Sequence, residues 1–348
     1  MRIFERLDEL YAIGSGSTGA APGANRPFGS EGEERAHELV AGWLVDAGLE
    51  IERDAAGNLL GRLQGSSPEL PELWTGSHLD SVPAGGRLDG PLGVLAGLEA
   101  VERIGSGQRT LAVVAFRGEE VGCIGSRARV AEIGALPGAF VELHIEQGPR
   151  LDGLGAPLAV VPAIVGYVRS TVTVTGRAGH AGTTPMAGRE DALVAAAQRL
   201  LAIREAALAI PDAVATVGQL EVEPGGINVI PAAVTFSVDA RAPDAERLDA
   251  LVAALGIEPA LRVEPAVMDG NVCAALRAAI ASLGLPAVEL HSGAGHDAGI
   301  LAAAGVPSAM LFVRSLNGGV SHSPAEHSSD EDIQLAVDAL ERALRQLA

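Results

Sequence analysis

Apolar runs of strand length alternate with helical stretches along most of this chain, and the alternation breaks once, near Val165. Before the break the sequence predicts a helix over Ile3–Ile13, a Gly/Ser/Pro-rich loop over Gly14–Gly29 and an amphipathic helix over Ser30–Gly48. Apolar runs Asn58–Leu63 and Leu70–Ser77, a helix Pro91–Ile104 and strands Leu111–Phe116 and Ala139–Ile145 follow. Such alternation predicts parallel strands joined by crossover helices. From Arg169 to Thr175 (RSTVTVT) the period becomes that of a half-buried strand. A helix (Glu190–Ala207), two strands (Ala213–Val222, Ala233–Ala242), a helix (Asp244–Leu255) and a strand (Leu261–Val267) come next. That order, β-α-β-β-α-β, is the ferredoxin-like pattern, which fills about 100 residues here. The α/β texture then resumes with a helix Val272–Leu283, strands Ala287–Leu290 and Ser308–Val313, and a helix Ser329–Leu347. The expected architecture is therefore one α/β domain, residues 1–164 and 271–348, interrupted by a smaller domain of residues 165–270.

Composition narrows the chemistry. The 25 basic residues are all arginine, so Schiff-base catalysis, pyridoxal phosphate and Walker-A phosphate binding are excluded for want of a lysine amine. A formal charge of −19 repels phosphate backbones and anionic lipid, so no nucleic-acid or membrane partner is expected. Two cysteines, Cys123 and Cys273, cannot build a disulfide framework, and a reducing cytoplasm is the expected location. With 3% aromatic residues, the core must be packed from Leu, Val, Ile and Ala.

Histidine placement carries the chemistry. His78 follows a strand in GSHLDSV, His144 closes one in ELHIEQG, and His322 lies in the loop after another in VSHSP. Open α/β sheets gather ligands at the carboxyl ends of their strands, so the three can converge. Asp89 follows in GGRLDGPLG, and Glu119 and Glu120 end the strand Leu111–Phe116. Three imidazoles with two or three carboxylates form the donor set of a dinuclear zinc, manganese or nickel site. The glutamate pair also reads as a solvated strand end, yet it sits between an apolar strand and a tight Val-Gly-Cys-Ile-Gly turn. Two ionised carboxylates there need a counter-charge, which a metal supplies. Asp80 is either a turn carboxylate or the partner of the other His78 nitrogen.

These motifs resemble the amidase, hydantoinase and carbamoylase branch of the dinuclear-zinc aminoacylase and carboxypeptidase superfamily. The resemblance runs in order through GSHLDSVPAGGRLDGPLGVLAGLEA, FRGEE, ELHIEQGP, GRAGHAGTTPM, GGINVIP, DAR, SGAGHDA and VSHSPAEHS. It implies a mixed-sheet metallopeptidase-like catalytic domain, interrupted by a ferredoxin-like dimerisation or lid domain. It further implies that Asp89 bridges two divalent metal ions (zinc, or else manganese, nickel or cobalt), with His78 and His144 completing one site and Glu120 and His322 the other. Glu119 becomes the general base. By the same resemblance His180 stabilises an oxyanion from the neighbouring subunit of a homodimer with shared active sites. Gln147 and Asn228 hold substrate polar groups, and Arg241 pairs with a substrate carboxylate, a job suited to a bidentate guanidinium. His296 and Asp297 support the pocket wall from behind. Residue type alone leaves Arg241 readable as a strand-surface arginine and Asn228 as a turn former. His37 and His291 match no motif, and the pattern selects His322 over His327.

The implied activity is hydrolysis of a linear amide or ureido bond beside a carboxylate, with N-carbamoyl-L-amino acids or related ureido acids as substrates. An allantoate amidohydrolase, an N-acyl-amino acid aminoacylase or dipeptidase, and a catalytically silent metal-binding dimer are the rival expectations. One departure bears on substrate: relatives run through a longer stretch before ELHIEQG, whereas here Val121 to Ala139 makes a short connection.

Overall fold

A computed structural model describes residues 2–14, 22–132 and 137–348. Residues 15–21 of the Gly14–Gly29 loop and residues 133–136 of the Val121–Ala139 connection lie outside the described residues. The chain divides into two compact units, Met1–Pro162 with Val267–Ala348, and Ala163–Ala266.

The larger unit is built on an eight-stranded sheet in the order Glu50–Arg53, Leu59–Leu63, Leu111–Phe116, Leu73–His78, Ala139–Ile145, Ser308–Val313, Leu158–Val161, Val288–Glu289. The four central strands, from Leu111–Phe116 to Ser308–Val313, run parallel. They are buried along their full length, which is why they read as continuous apolar runs with no alternation. The sheet as a whole is mixed. Glu50–Arg53, Leu59–Leu63 and Leu158–Val161 all pair antiparallel to a neighbour, giving the mixed sheet that the resemblance implies, while the parallel strands that the alternation predicts form its centre. Helix Pro91–Ile104 packs on the strands Leu73–His78 and Ala139–Ile145 and against the closing helix Asp330–Leu347. It is buried from Pro91 to Val101, so its sequence carries no polar face until the last turn. Helix Glu31–Asp46 starts where Ser30 accepts from the Glu33 amide at 3.2 Å while Glu33 accepts from Gly29 at 2.6 Å. Such a cap contributes about 1 kcal/mol. Helices Ile124–Glu132, Arg150–Leu154 and Asp297–Ala303 lie in stretches that the sequence reads as connections.

The smaller unit is the expected β-α-β-β-α-β, with an antiparallel sheet ordered Val214–Thr216, Ala233–Ala242, Gly166–Thr175, Leu261–Val263. The predicted strand Ala213–Val222 is in fact two short strands, Val214–Thr216 and Leu220–Glu223, both paired to Ala233–Ala242. They are separated at Gly218, where Gln219 and Ser237 exchange hydrogen bonds. One face of the sheet packs on helices Ala192–Leu208 and Ala245–Leu255 through Val168, Val234, Phe236, Val238, Leu248 and Leu251. A two-stranded ribbon, Gly179–His180 with Val229–Ile230, is a separate element. Among the described residues no helix is long and apolar enough to cross a membrane.

Candidate metal centre

Parallel pairing brings the carboxyl ends of the four central strands to one edge, and the chemistry-bearing residues gather there. His78 ends its strand, His144 lies one residue from the end of the next, and the Glu119–Glu120 turn follows Leu111–Phe116. The Asp89 carboxylate stands between two groups of donors. Its Oδ1 lies 3.2 Å from His144 Nε2 and 3.6 Å from His78 Nε2. Its Oδ2 lies 3.4 Å from His322 Nε2, which is itself 3.4 Å from Glu120 Oε2. Two candidate ligand triads therefore share Asp89: His78–Asp89–His144 and Asp89–Glu120–His322. His327 is exposed and no part of either.

The tautomers are set by carbonyl groups. His78 Nδ1 is 3.1 Å from the Asp80 carbonyl and His144 Nδ1 is 3.0 Å from that of Ile145. A carbonyl only accepts, so each Nδ1 donates. In the neutral ring this leaves a lone pair on Nε2, and both Nε2 atoms are buried without a hydrogen-bond partner. Two buried lone pairs facing one carboxylate oxygen are an unfavourable arrangement unless a cation lies between them, so the residues present fit a divalent ion. Gly90 (φ 82°) keeps the turn after Asp89 close: a β-carbon there would come within 2.5 Å of the His78 ring.

Asp80 supports three of these residues at once. Its two oxygens accept from the Glu119 and Glu120 amides at 3.1 and 3.2 Å, and Oδ1 lies 3.4 Å from His78 Nδ1. Glu119 Oε2 is 4.0 Å from His78 Nε2 and its Oε1 is 3.6 Å from His296 Nδ1. Burial pushes the Glu119 carboxyl well above the usual carboxylate range, with His78 opposing and Asp297, Asp89 and Glu120 adding to the rise. Burial raises Glu120 as well. Burial would also raise Asp89, but His144 and His78 outweigh it and hold the carboxyl well below its ordinary value. His78 shows the converse: burial would lower it, yet Glu119, Asp80 and Asp89 hold it well above the usual imidazole range.

Behind the triads, burial holds His296 well below the ordinary imidazole value, so it is neutral, with Nε2 2.8 Å from Ser292 Oγ. Asp297 accepts from Ser126 at 2.6 Å and burial, aided by Glu142, pushes it up to about 8. Gln147 donates from Nε2 to Asp89 Oδ2 at 3.0 Å and lies 3.2 Å from Ser321 Oγ. Gln147 and His322 are non-glycine residues in the left-handed region, with φ of 56° and 53°. Such conformations persist where surrounding contacts fix them, as at binding sites.

The remaining sequence candidates lie in the smaller unit. His180 and Asn228 stand on the ribbon, where the Ala181 amide donates to the Asn228 carbonyl at 2.9 Å. His180 Nδ1 accepts from the amides of Gly182 and Thr183 at 3.1 and 3.2 Å, so Nε2 carries the proton and is a donor. Arg241 lies on the sheet face opposite the helices, hydrogen-bonded to Asp239 from Nε at 2.7 Å and Nη2 at 3.3 Å. Arg169 shares that aspartate, and both guanidiniums lie over the Tyr167 ring.

Sequence reasoning missed three residues of this region. Glu142 lies two residues before His144, on the same strand face, and accepts from Ser77 Oγ and the Ala298 amide; the i, i+2 spacing was its signal. Arg26 is fully buried, its guanidinium donating to the carbonyls of Leu79 and Leu10, its amide donating to Ser81 Oγ and its carbonyl accepting from the Ser81 amide. Ser321, beside His322, lies 3.1 Å from Asp89 Oδ2. Arg26 has no sequence signal, since it sits in a loop without periodicity, whereas Ser321 lies within the VSHSP motif beside His322.

The profile of peptidase family M20/M25/M40 matches residues 74–346. The chain is 38% identical over 406 aligned positions to an N-carbamoyl-L-amino acid amidohydrolase of Geobacillus stearothermophilus, covering 100% of this chain and 98% of the relative. It is 35% identical over 368 positions to the allantoate amidohydrolase of Escherichia coli K12, covering 88% of each. Among solved structures, a hydantoinase/carbamoylase family amidase from Burkholderia multivorans superimposes with a TM-score of 0.93 at 29% identity, over 100% of this chain and 97% of that one. An alignment of 406 positions exceeds the 348 residues of this chain, so the Geobacillus relative carries segments that this protein lacks. Profile, sequence and fold agree that the chain belongs to peptidase family M20/M25/M40, within its hydantoinase/carbamoylase amidase branch.

Proposed function

We propose that this protein is a dinuclear-metal amidohydrolase that cleaves a linear ureido or amide bond beside a carboxylate, with N-carbamoyl-L-amino acids as its substrate class. The observation that carries the reading is the Asp89 carboxylate, each oxygen of which faces a separate triad, with the buried Glu119 adjacent. His78, Asp89 and His144 would hold one divalent ion, and Asp89, Glu120 and His322 the other; zinc suits this nitrogen and carboxylate set, as do manganese, nickel and cobalt. Bound there, such ions supply Lewis acidity toward a carbonyl oxygen and lower the pKa of a water.

The chain's own residues account for the rest. Glu119 takes a proton from the attacking water at a carboxylate oxygen; as the C–N bond breaks it returns that proton to the leaving amine nitrogen. The products are an amino acid and carbamate, which breaks down to ammonia and carbon dioxide. His180 Nε2–H donates to the oxyanion that develops on the carbonyl. Asn228 and Gln147 hold the substrate's polar groups, and Arg241 presents its fork to the carboxylate.

In this reading residues 165–270 form a dimerisation and lid domain, and His180 serves the site of the partner copy in a cytoplasmic homodimer. Helix Ala192–Leu208 supports it. Val194, Leu201 and Leu208, seven residues apart, are 57%, 64% and 65% exposed, a second apolar face beyond the one built from Ala192, Ala196, Ile203 and Ala207. A helix apolar on both faces calls for a covering partner.

One observation favours a second substrate reading. The segments present in the Geobacillus relative and absent here leave room for bulkier ureido acids or N-acyl amino acids. Ammonia release from N-carbamoyl amino acids and allantoate, measured against amino-acid release from N-acetyl substrates, separates a carbamoylase, an allantoate amidohydrolase and an aminoacylase. Two bound ions with no turnover of any of these substrates would leave a silent metal-binding dimer and overturn the reading.

A further inference from the structure

Glu326 lies four residues beyond His322, buried at 8% exposure, in a loop that ends on helix Asp330–Leu347. Its Oε1 accepts from two consecutive amides, Leu88 at 2.7 Å and Asp89 at 3.0 Å. Its Oε2 lies 3.2 Å from Ser321 Oγ, which is also 3.1 Å from Asp89 Oδ2. One carboxylate therefore grips the backbone of Asp89 and, through Ser321, the loop that carries His322. These two segments are more than 230 residues apart in sequence. His322 needs such support, because its side chain is half exposed and its backbone is left-handed. The space for the carboxylate is cut by Gly86, where a β-carbon would come within 2.2 Å of Glu326 Oε1 and 2.6 Å of its Cβ.

We propose that Glu326 is a positioning residue that sets the spacing between Asp89 and His322, and so the affinity of the ion held by Asp89, Glu120 and His322. This rests on the assignment of those residues as ligands. Outer partners that orient ligands typically change metal affinity about 10- to 100-fold, and Glu326 reaches both a ligand's amide and the neighbour of a second ligand.

The test is a zinc titration of the metal-stripped full chain against a competing chromophoric chelator, at a temperature where circular dichroism shows every variant folded. Glu326→Ala should weaken one of the two zinc equivalents about 10- to 100-fold and leave the other closer to wild type. Glu326→Gln keeps an acceptor oxygen for both amides and should stay near wild type. Gly86→Ala dislodges the carboxylate without removing it, so it should weaken the same equivalent as Glu326→Ala, and it carries the test if Glu326→Ala does not fold. A purely structural role would lower the melting temperature of the metal-free protein while leaving zinc affinity of the folded chain unchanged; that result overturns the proposal. Asp89→Asn and His322→Ala are run alongside. If these bind zinc as wild type does, the ligand assignment itself fails, whereas loss of zinc in them with normal affinity in Glu326→Ala and Gly86→Ala overturns the role of Glu326 alone.

Discussion

In the larger unit His78 and His144 are fully buried, with ring orientation set by backbone carbonyls and by Asp89. In the inserted unit His180 and Asn228 stand exposed on a two-stranded ribbon, and Arg241 is half-buried on an open sheet face. The first group is over-determined: the Asp80 and Ile145 carbonyls and the Asp89 carboxylate fix both rings, and the Glu119 and Glu120 amides fix Asp80. In the second group His180 is oriented by the Gly182 and Thr183 amides and Arg241 by Asp239. In the proposed reading bond-breaking chemistry falls to the preorganised centre, and recognition to the residues of the inserted unit.

Breaking the shared element of the first group should have the largest effect. Asp89→Asn removes the one carboxylate common to both triads, so both ions should be lost and activity should fall to background. Elemental analysis of the folded variant checks this, and two retained ions would contradict the shared-carboxylate arrangement. Acid should act through the same groups. In the metal-free protein His78 and His144 are held above their ordinary pKa, against burial, by neighbouring carboxylates, so protons compete with metal for these imidazoles more than for a free histidine. Zinc binding should then release protons and strengthen as pH rises, by about tenfold per pH unit for each proton displaced. Calorimetry in buffers of different ionisation enthalpy counts those protons; buffer-independent heats would mean that the imidazoles are already neutral.

Glu119→Gln should separate catalysis from metal binding within this centre. It keeps the shape of a group that lies beside both triads without belonging to either, so both ions should remain while kcat drops about 10²- to 10⁴-fold. Glu120→Gln should lose metal instead. Equal metal content and equal activity in the two variants would overturn the division of roles between adjacent glutamates.

How far this was legible in sequence follows the same divide. His78, His144 and the Glu119–Glu120 pair were readable because each ends a strand, and parallel central strands put such ends on one edge. The β-α-β-β-α-β order was readable because the inserted strands, with one face on helices, alternate at period two. What stayed hidden depends on contacts distant in sequence. Leu158–Val161 is four apolar residues whose antiparallel pairing to Ser308–Val313 no local signal reports. Helix Asp297–Ala303 opens in SGAGHDAG, a glycine-rich stretch to which the sequence pattern assigns no helix. Arg26 looks like a loop arginine until its partners Leu10 and Leu79 with Ser81 are brought to it from two other segments.

His180→Ala tests whether the second group is shared between copies. The ring offers Nε2–H because two amides already occupy Nδ1, and loss of one oxyanion donor costs about 10² to 10³ in kcat. Metal content should not change. Mixing His180→Ala with Glu119→Gln and allowing subunit exchange should restore about a quarter of wild-type activity per site, since about half the dimers are mixed and each mixed dimer has one intact site. No recovery after exchange is demonstrated by mass would place His180 in its own chain's site or outside catalysis.

The smallest effect should come from Arg241→Lys, and it depends on Asp239. Arg241 spends Nε and Nη2 on that aspartate, which fixes the guanidinium plane on the Tyr167 ring. A lysine at this position keeps the charge but cannot make two parallel hydrogen bonds or hold the same plane. A charge-assisted hydrogen bond contributes about 1.5 to 3 kcal/mol, so KM for a carboxylate substrate should rise about 10- to 100-fold with kcat little changed. Amidating the substrate carboxylate should shrink that penalty, since there is then no anion for the fork to meet. Asp239→Asn should give a smaller KM increase of the same kind, because it loosens the guanidinium without removing it, and Arg169 remains over Tyr167 as a second cation. An equal loss for acid and amide substrates would mean that the Arg241–Asp239 pair holds the sheet together and recognises nothing. A loss confined to the acid would assign the carboxylate of the substrate to the inserted unit.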